Sequence, residues 1–340
     1  MKGFREKVAL IILAVLVVVV VLMLVLLLVL RSGNEEEPSQ LVYETSEFET
    51  EELEEVLVSY NGKHYRYNES LSVYLLLGID KDGIVEEAED YLSGGQCDAI
   101  FLLVADEDTE ELSIVSVQRN TMTDVETYAA NGVYMGTKTY QICVQHGYGD
   151  GMEFSCELTV DAVSKLFYNL EIDGYLSINM GGIPALNDAV GGVTVEVLQD
   201  LSYPDAGVEL TAGETVTLTG TEAYYYMRGR DIDEFDSASD RLRRQEQYIG
   251  AFFRQLKNTV GSDILAMLDI YSAVEDYLVT DLDVAEVLGE LAGYEYSDDN
   301  LYTTPGETVV DDAGLHEEFH LDEDAFYELC LEVFYEEVEE

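Results

Sequence analysis

Arg228, Arg230, Arg241, Arg243 and Arg244 crowd into one short stretch of a chain whose 70 Asp and Glu outnumber its 17 Lys and Arg, for a formal charge of −53. Guanidinium forks match phosphate oxygens two at a time, so cations gathered against such a background point to a bound anion. The competing reading is a set of intramolecular ion pairs with Asp231, Asp233, Glu234, Asp236 and Asp240, which charged segments often form. Spacing bears on the choice. In a helix starting near Asp240, Arg241, Arg244 and Gln245 share one face and Arg243 points elsewhere, while Arg228 and Arg230 share a side if their backbone is extended. Two arginines from one segment and two more with an amide from the next would enclose a diphosphate.

Other chemistry has less material. Four histidines (His64, His146, His316, His320) give little scope for a His-rich metal site or a Ser-His-Asp triad. The spacing of Cys97, Cys143, Cys156 and Cys330 fits no zinc motif, and four cysteines in an oxidising compartment allow three disulfide pairings. The acidic surface repels nucleic acid, which removes that class of partner. Asp80 and Asp98, each at the end of an apolar run, read by themselves as turn residues.

The elements that must position these groups are legible in outline. Residues 73–78, 99–105 and 112–117 are short continuous apolar runs, as buried strands are, and the polar segment 106–111 between the last two predicts a hairpin. Helical periodicity runs through Val160, Val163, Leu166, Phe167 and Leu170, and again from Asp240 through Leu256. Residues 175–178 and 192–197 read as strands, 183–189 as a short helix, and 261–294 and 322–338 as helical. The sum is an α/β fold, a mixed central sheet sandwiched by helices. Tyr224, Tyr225 and Tyr226 supply core or line a groove, with at least one expected in the core.

Residues 8–30 are wholly apolar, about the length needed for a ~30 Å hydrocarbon core. Lys2, Arg5 and Lys7 precede them, which places residues 1–7 in the cytoplasm and the rest outside, at the cell membrane as a single-pass protein. No A-x-A site follows, so a retained anchor is expected rather than a cleaved signal peptide. Residues 31–55, with their glutamate run, read as an acidic extracytoplasmic linker, and 56–340 as the working domain, with a core at 72–260 and a helical part at 261–340. The chain's 47% hydrophobic residues and 10% aromatics suffice for a core.

Five motifs in order then resemble the LytR-CpsA-Psr (LCP) family, bacterial proteins that attach glycopolymers to the cell wall. They are Leu75-Leu76-Leu77-Gly78-Ile79-Asp80, Cys97-Asp98-Ala99-Ile100, Ser116-Val117-Gln118-Arg119-Asn120-Thr121, residues 186–193, and Tyr226-Met227-Arg228-Gly229-Arg230 followed by 240–245. The resemblance implies an α-β-α fold and a phosphotransferase moving a polymer from an undecaprenyl-diphosphate carrier in the membrane lipid to a peptidoglycan acceptor, in a Gram-positive bacterium. It also implies that Arg119, Lys138, Arg228, Arg230, Arg241 and Gln245 bind the diphosphate, that Asp80 and Asp98 hold Mg²⁺, and that Asp98, Arg119, Arg228 and Arg230 are catalytic. Hard oxygen ligands suit magnesium, and phosphoryl transfer is mainly positioning and charge neutralisation.

Two departures stand out. The family usually has Arg-Ser-Asp where this chain has Gln96-Cys97-Asp98, and Arg-Asp where it has Arg119-Asn120. One charge of each sign is lost together, which suggests compensation, with Asp124 near enough in sequence to replace the missing carboxylate. Cys97 to Cys156 is the expected disulfide, pinning the loop beside the pocket, and Cys143 to Cys156 is the local alternative. A non-catalytic binding or regulatory protein for lipid-linked or wall polymers is the alternative function.

Overall fold

The computed structural model describes residues 57–230, 235–260, 264–284, 287, 293–311 and 316–338. The apolar run at 8–30 and the linker at 31–55 lie outside them, and no helix within them is long and apolar enough to cross a membrane.

The chain enters the central sheet as β1 (Leu71–Ile79), returns as β2 (Cys97–Asp106) and turns through the expected hairpin into β3 (Glu111–Val117). A two-stranded ribbon, β4 (Met122–Tyr128) and β5 (Tyr134–Gln141), leads to helix α1 (Glu153–Leu166). Strand β6 (Gly174–Asn179) then pairs in parallel with β1, followed by α2 (Ile183–Ala189), α3 (Gly220–Arg228), α4 (Ser237–Val260) and α5 (Ile264–Val274). The short β7 (Leu278–Thr280) and the long β8 (Glu295–Thr303) close the two edges, giving the order β7-β6-β1-β2-β3-β8. A second hairpin, β9 (Gly306–Val310) and β10 (Glu317–Leu321), precedes α6 (Glu323–Phe334).

Period-two alternation sorts the sheet's two faces. Val73, Leu75, Leu77 and Ile79 of β1 are at most 1% exposed and pack on one face with Val163 of α1, Phe167 just past it, and Phe326 and Phe334 of α6. Burial of each such side chain is worth about 1.5–3 kcal/mol. Tyr74, Phe101 and Leu103 point to the opposite face, where Leu242 of α4 covers them. Helices on both faces of a mixed sheet match the expected α-β-α class. Residues from Glu55 onward form one compact unit.

The reading of 261–340 as helical is corrected. Among the described residues, helices run over 264–274 and 323–334 and include 284 and 287, a short 3₁₀ turn lies at Glu275–Tyr277, and five strands occupy much of the rest. As an edge strand, β8 pairs only with β3 and shows polar residues to solvent, so its acid-rich sequence hides its strand character. Within 322–338, where a helix is expected, α6 buries Phe326, Cys330, Leu331 and Phe334.

Candidate functional site

Strand register brings the two candidate carboxylates together. Ile79 of β1 pairs with Cys97 of β2, so Asp80, just past β1, and Asp98, second in β2, emerge at the same end of adjacent antiparallel strands. An irregularity in pairing between Gly78 and Ile79 turns the chain there, as bulges beside sites often do. Asp80 and Gln96 clasp each other: the Gln96 N–H donates to Asp80 Oδ1 at 2.7 Å, and the Asp80 N–H donates to the Gln96 carbonyl at 3.0 Å. Gly95 makes that turn with φ +89°, a left-handed conformation that a side chain would strain.

Arg119 follows β3, whose Val117 pairs with Ile100, and so reaches the same end of the sheet. Arg241 comes from the first turns of α4. Both converge on Asp98. Arg241 Nη1 donates to Asp98 Oδ2 at 2.7 Å, and Arg119 Nε lies 2.8 Å from Oδ1 as an ion pair without hydrogen-bond alignment. The side chains of Arg119, Asp98 and Arg241 are 13%, 14% and 6% exposed, respectively. Arg119 donates further through Nη1 to Asn120 Oδ1 at 3.1 Å and through Nη2 to Gln96 Oε1 at 2.5 Å. Desolvation pulls the Arg241 guanidinium down while Asp98 opposes it, and desolvation raises Asp80 above the ordinary carboxylate range.

Asp98 Oδ1, Arg119 Nε and Arg241 Nη2 are nonetheless buried without a hydrogen-bond partner among the described residues. Asp98 Oδ1 and Arg119 Nε face one another as that ion pair, which leaves Arg241 Nη2 as the buried donor that an anionic ligand would satisfy. Two carboxylates are too few for an all-protein cage, and no cluster of three or more His, Cys, Asp or Glu among the described residues would make one. They do fit Mg²⁺, which commonly binds through one or two carboxylates plus substrate phosphate oxygens.

A polar cleft takes in Arg119 of this knot, and an apolar cavity lies one helical turn beyond Arg241. A broad polar cleft of ≈ 1270 Å³ is lined by Asp80, Lys81, Gln96, Arg119, Asn120 and Arg230, together with residues of β5 and the β9–β10 hairpin. Beneath α4 lies an apolar cavity of ≈ 180 Å³ whose walls include Leu76, Phe101, Leu103, Ile183, Phe252 and Ile270. Gln245, one helical turn beyond Arg241, lines this cavity, so a single helix carries both the buried arginine and the cavity's amide.

The remaining candidates divide. Gln245 is 1% exposed and donates to the Met227 carbonyl at 3.2 Å. Arg244, on the same face as expected, is structural: it binds the carbonyls of Tyr226 and Gly229 and closes the end of α3. Arg243 is 66% exposed and pairs with Asp240. Arg228 pairs with Asp82 at 3.1 Å and bonds to the Tyr224 hydroxyl; it is tied to the loop after Asp80 without lining the cleft. Lys138 lies outside the cleft lining, its Nζ 6.0 Å from the ring centroid of Tyr140, and Asp124, exposed on β4, is not part of that lining either. Neither replaces a charge at the knot. Tyr226 is fully buried, whereas Tyr224 and Tyr225 are partly so, and none of the three lines the apolar cavity.

The expected Cys97–Cys156 disulfide is not formed, nor is Cys143–Cys156. All four cysteines are free and buried, Cys97 and Cys156 as small apolar members of the core beneath β1. Burial pushes the thiols up, to about 11 for Cys143 and about 12 for Cys156, so none is an activated nucleophile.

The LytR_cpsA_psr family model matches residues 37–309. The chain belongs to the LytR-CpsA-Psr family. Among its relatives is the Halalkalibacterium halodurans protein named polyisoprenyl-teichoic acid–peptidoglycan teichoic acid transferase TagU, 32% identical over 58% of this chain and 59% of that protein. The Oceanobacillus iheyensis protein of the same name is 28% identical over 72% of this chain and 70% of its own. The first alignment thus spans under two thirds of its relative's length. Solved LytR-CpsA-Psr folds include B. subtilis TagV, with TM-score 0.60, 20% identity, and coverage of 78% of this chain and 96% of that one. A structure titled TagT bound to LI-WTA gives TM-score 0.56 at 19% identity, covering 78% and 90%.

Of the residues that the motifs single out, Asp80, Arg119 and Arg230 line the cleft, Gln245 lines the apolar cavity, and Asp98 and Arg241 lie in the knot; other residues that the motifs do not include share the cleft. Lys81 lines the cleft, its ammonium on the Ser93 carbonyl at 2.6 Å; its place directly after Asp80 was the available signal. Glu317 and Glu318 reach the cleft because β10 runs beside the Arg119 loop, the Phe319 N–H donating to the Asn120 carbonyl at 2.9 Å. Nothing local in the sequence announces that long-range pairing.

Proposed function

We propose that this chain is a membrane-anchored phosphotransferase that moves a glycopolymer from an undecaprenyl-diphosphate carrier to peptidoglycan, leaving a phosphodiester. The observation that carries the reading is the junction on α4: a buried arginine–carboxylate knot with an unsatisfied donor on Arg241, one turn from an apolar cavity. A diphosphate bearing a hydrocarbon tail has this polarity pattern. The names of the relatives support the same class of substrate.

In this reading Arg119, Arg241 and Arg230 neutralise the diphosphate oxygens, with Arg228 swinging from Asp82 to join them. Lys138, outside the cleft lining, is at most an outer contact. Asp80 and Asp98 would hold Mg²⁺ together with the substrate, and the ion would supply further charge neutralisation on the phosphoryl group. An acceptor hydroxyl attacks the phosphorus that bears the polymer; the new P–O bond forms as the bridging P–O bond breaks, and polyprenyl phosphate departs. The hydroxyl proton passes to a carboxylate at the knot. Asp80, held by the Gln96 N–H and lining the cleft, is the better placed acceptor, while Asp98 is committed to two guanidiniums.

The chain's expected setting is the cell membrane, with residues 1–7 cytoplasmic and the domain outside. Full-length protein in liposomes containing a lipid-linked oligosaccharide and Mg²⁺ tests the activity by release of undecaprenyl phosphate together with label on a peptidoglycan acceptor. Binding of the donor with no release, at any Mg²⁺ concentration, would favour the non-catalytic reading, to which the altered Gln96 and Asn120 positions lend a specific motive. Arg228→Ala with Arg230→Ala is expected to abolish transfer or donor binding, and retention of both rejects the pocket assignment.

A further inference from the structure

Among the described residues, thirteen large hydrophobic side chains are exposed, and four of them, Leu92, Tyr140, Phe235 and Val310, line the polar cleft. They come from four separate segments: the loop before β2, strand β5, the approach to α4 and the end of β9. Phe235 is 60% exposed. Apolar groups that converge on one cleft from distant parts of a chain mark a binding surface more than chance exposure does.

The same cleft is electrically divided. Lys81, Arg119 and Arg230 line it where the diphosphate is proposed, whereas β10 contributes Glu317 and Glu318. Each of these carboxylates spends one oxygen on the protein, Glu317 on the Asp236 N–H at 2.7 Å and Glu318 on His320 Nε2 at 3.0 Å, leaving the other to accept from a ligand. An anionic ligand is repelled there, and a hydrocarbon tail is better served by the apolar cavity. A neutral molecule with many hydroxyls and a flat apolar face satisfies both the ring and the carboxylates. That molecule is a carbohydrate.

We propose that the rim formed by Tyr140, Phe235, Val310 and Glu318 is the subsite for the neutral acceptor glycan, with sugar faces on the rings and hydroxyls on the carboxylates. The inference rests on the transfer reading for its biological meaning, and it specifies which part of the cleft serves the acceptor.

The chain contains no tryptophan. Phe235→Trp therefore places a unique fluorophore on the rim of the full-length protein. Titration with chitohexaose, a neutral oligomer of β-1,4-linked N-acetylglucosamine, is expected to shift its emission saturably, unchanged by saturating farnesyl diphosphate with Mg²⁺. Tyr140→Ala or Glu318→Gln in that background is expected to weaken the sugar about fivefold, the scale of one aromatic or polar contact. Farnesyl diphosphate binding by the same variants, held at the parent's affinity, shows that their fold is intact. No emission change, displacement of the sugar by farnesyl diphosphate, or indifference to both substitutions overturns the subsite. Saturable sugar binding in a protein that releases no undecaprenyl phosphate overturns the transfer reading and leaves the subsite standing.

Discussion

Gln96 and Asn120 accept hydrogen bonds from the same guanidinium: Arg119 Nη2 donates to Gln96 Oε1 and Nη1 to Asn120 Oδ1. These are the two positions at which the chain departs from the charged residues usual in its family. With Asp98 at Nε, all three nitrogens of Arg119 have a protein neighbour. The two departures are physically linked through one side chain, which gives the compensation suggested by sequence a concrete route.

That link predicts non-additive kinetics. Gln96→Arg sets a second cation against Arg119, and Asn120→Asp adds a carboxylate at a position 2% exposed. Each alone is expected to lower kcat/KM by about tenfold, with the double variant recovering most of the loss and a coupling of about 2.5 kcal/mol. Kinetics of all four forms on the lipid-linked donor would show additive losses if the positions were independent.

His146 makes stability depend on pH. Burial lowers its pKa from 6.5 to about 4, its Nδ1 lying 3.2 Å from the Gly95 carbonyl. The unfolded chain therefore binds a proton between those values that the folded chain refuses. Stability is fully present above pH 6.5 and is lost as pH falls toward about 4, where the cost reaches about 3 kcal/mol. In urea titrations at pH 7 and 5, His146→Gln is expected to lose less stability between the two than the parent does. Equal losses would mean that His146 is not the responsible group.

The thiols offer a chemical check on the core. Cys97 lies well above its usual pKa, and Cys330 stands at about 12, both through burial. Ellman's reagent at pH 8 should react slowly with the native protein and then with four thiols in denaturant. A Cys97–Cys156 peptide in a nonreducing digest of secreted protein would restore the disulfide and contradict the free cysteines seen here.

What sequence reveals about this fold follows the range of the interactions. The β2–β3 hairpin, α4 and the face shared by Arg241, Arg244 and Gln245 depend on local periodicity, and all were legible. Periodicity could not separate Arg244, spent on carbonyls of α3, from Arg241, spent on Asp98, because a helix face does not disclose its partner. Strand β8, hidden by the polarity of an edge, and β10, joined to the Arg119 loop only in three dimensions, were illegible for the same reason.

The apolar cavity supplies the sharpest separation of lipid from diphosphate recognition. At ≈ 180 Å³ it is of the order of an engineered cavity of about 150 Å³ that binds benzene, so it holds only a short stretch of a prenyl chain unless its walls part. Leu76 faces it from β1. Leu76→Trp fills space without adding charge or removing any arginine, and its cost in stability is expected to stay within about 1–3 kcal/mol. Donors with long prenyl tails should then lose at least about tenfold in affinity, whereas inorganic pyrophosphate with Mg²⁺ should bind as before. Calorimetric titration of both ligands measures the split. A parallel loss of pyrophosphate affinity would show that the substitution had disturbed the Arg119–Asp98–Arg241 knot, and undiminished binding of the long-chain donor would place the prenyl tail elsewhere.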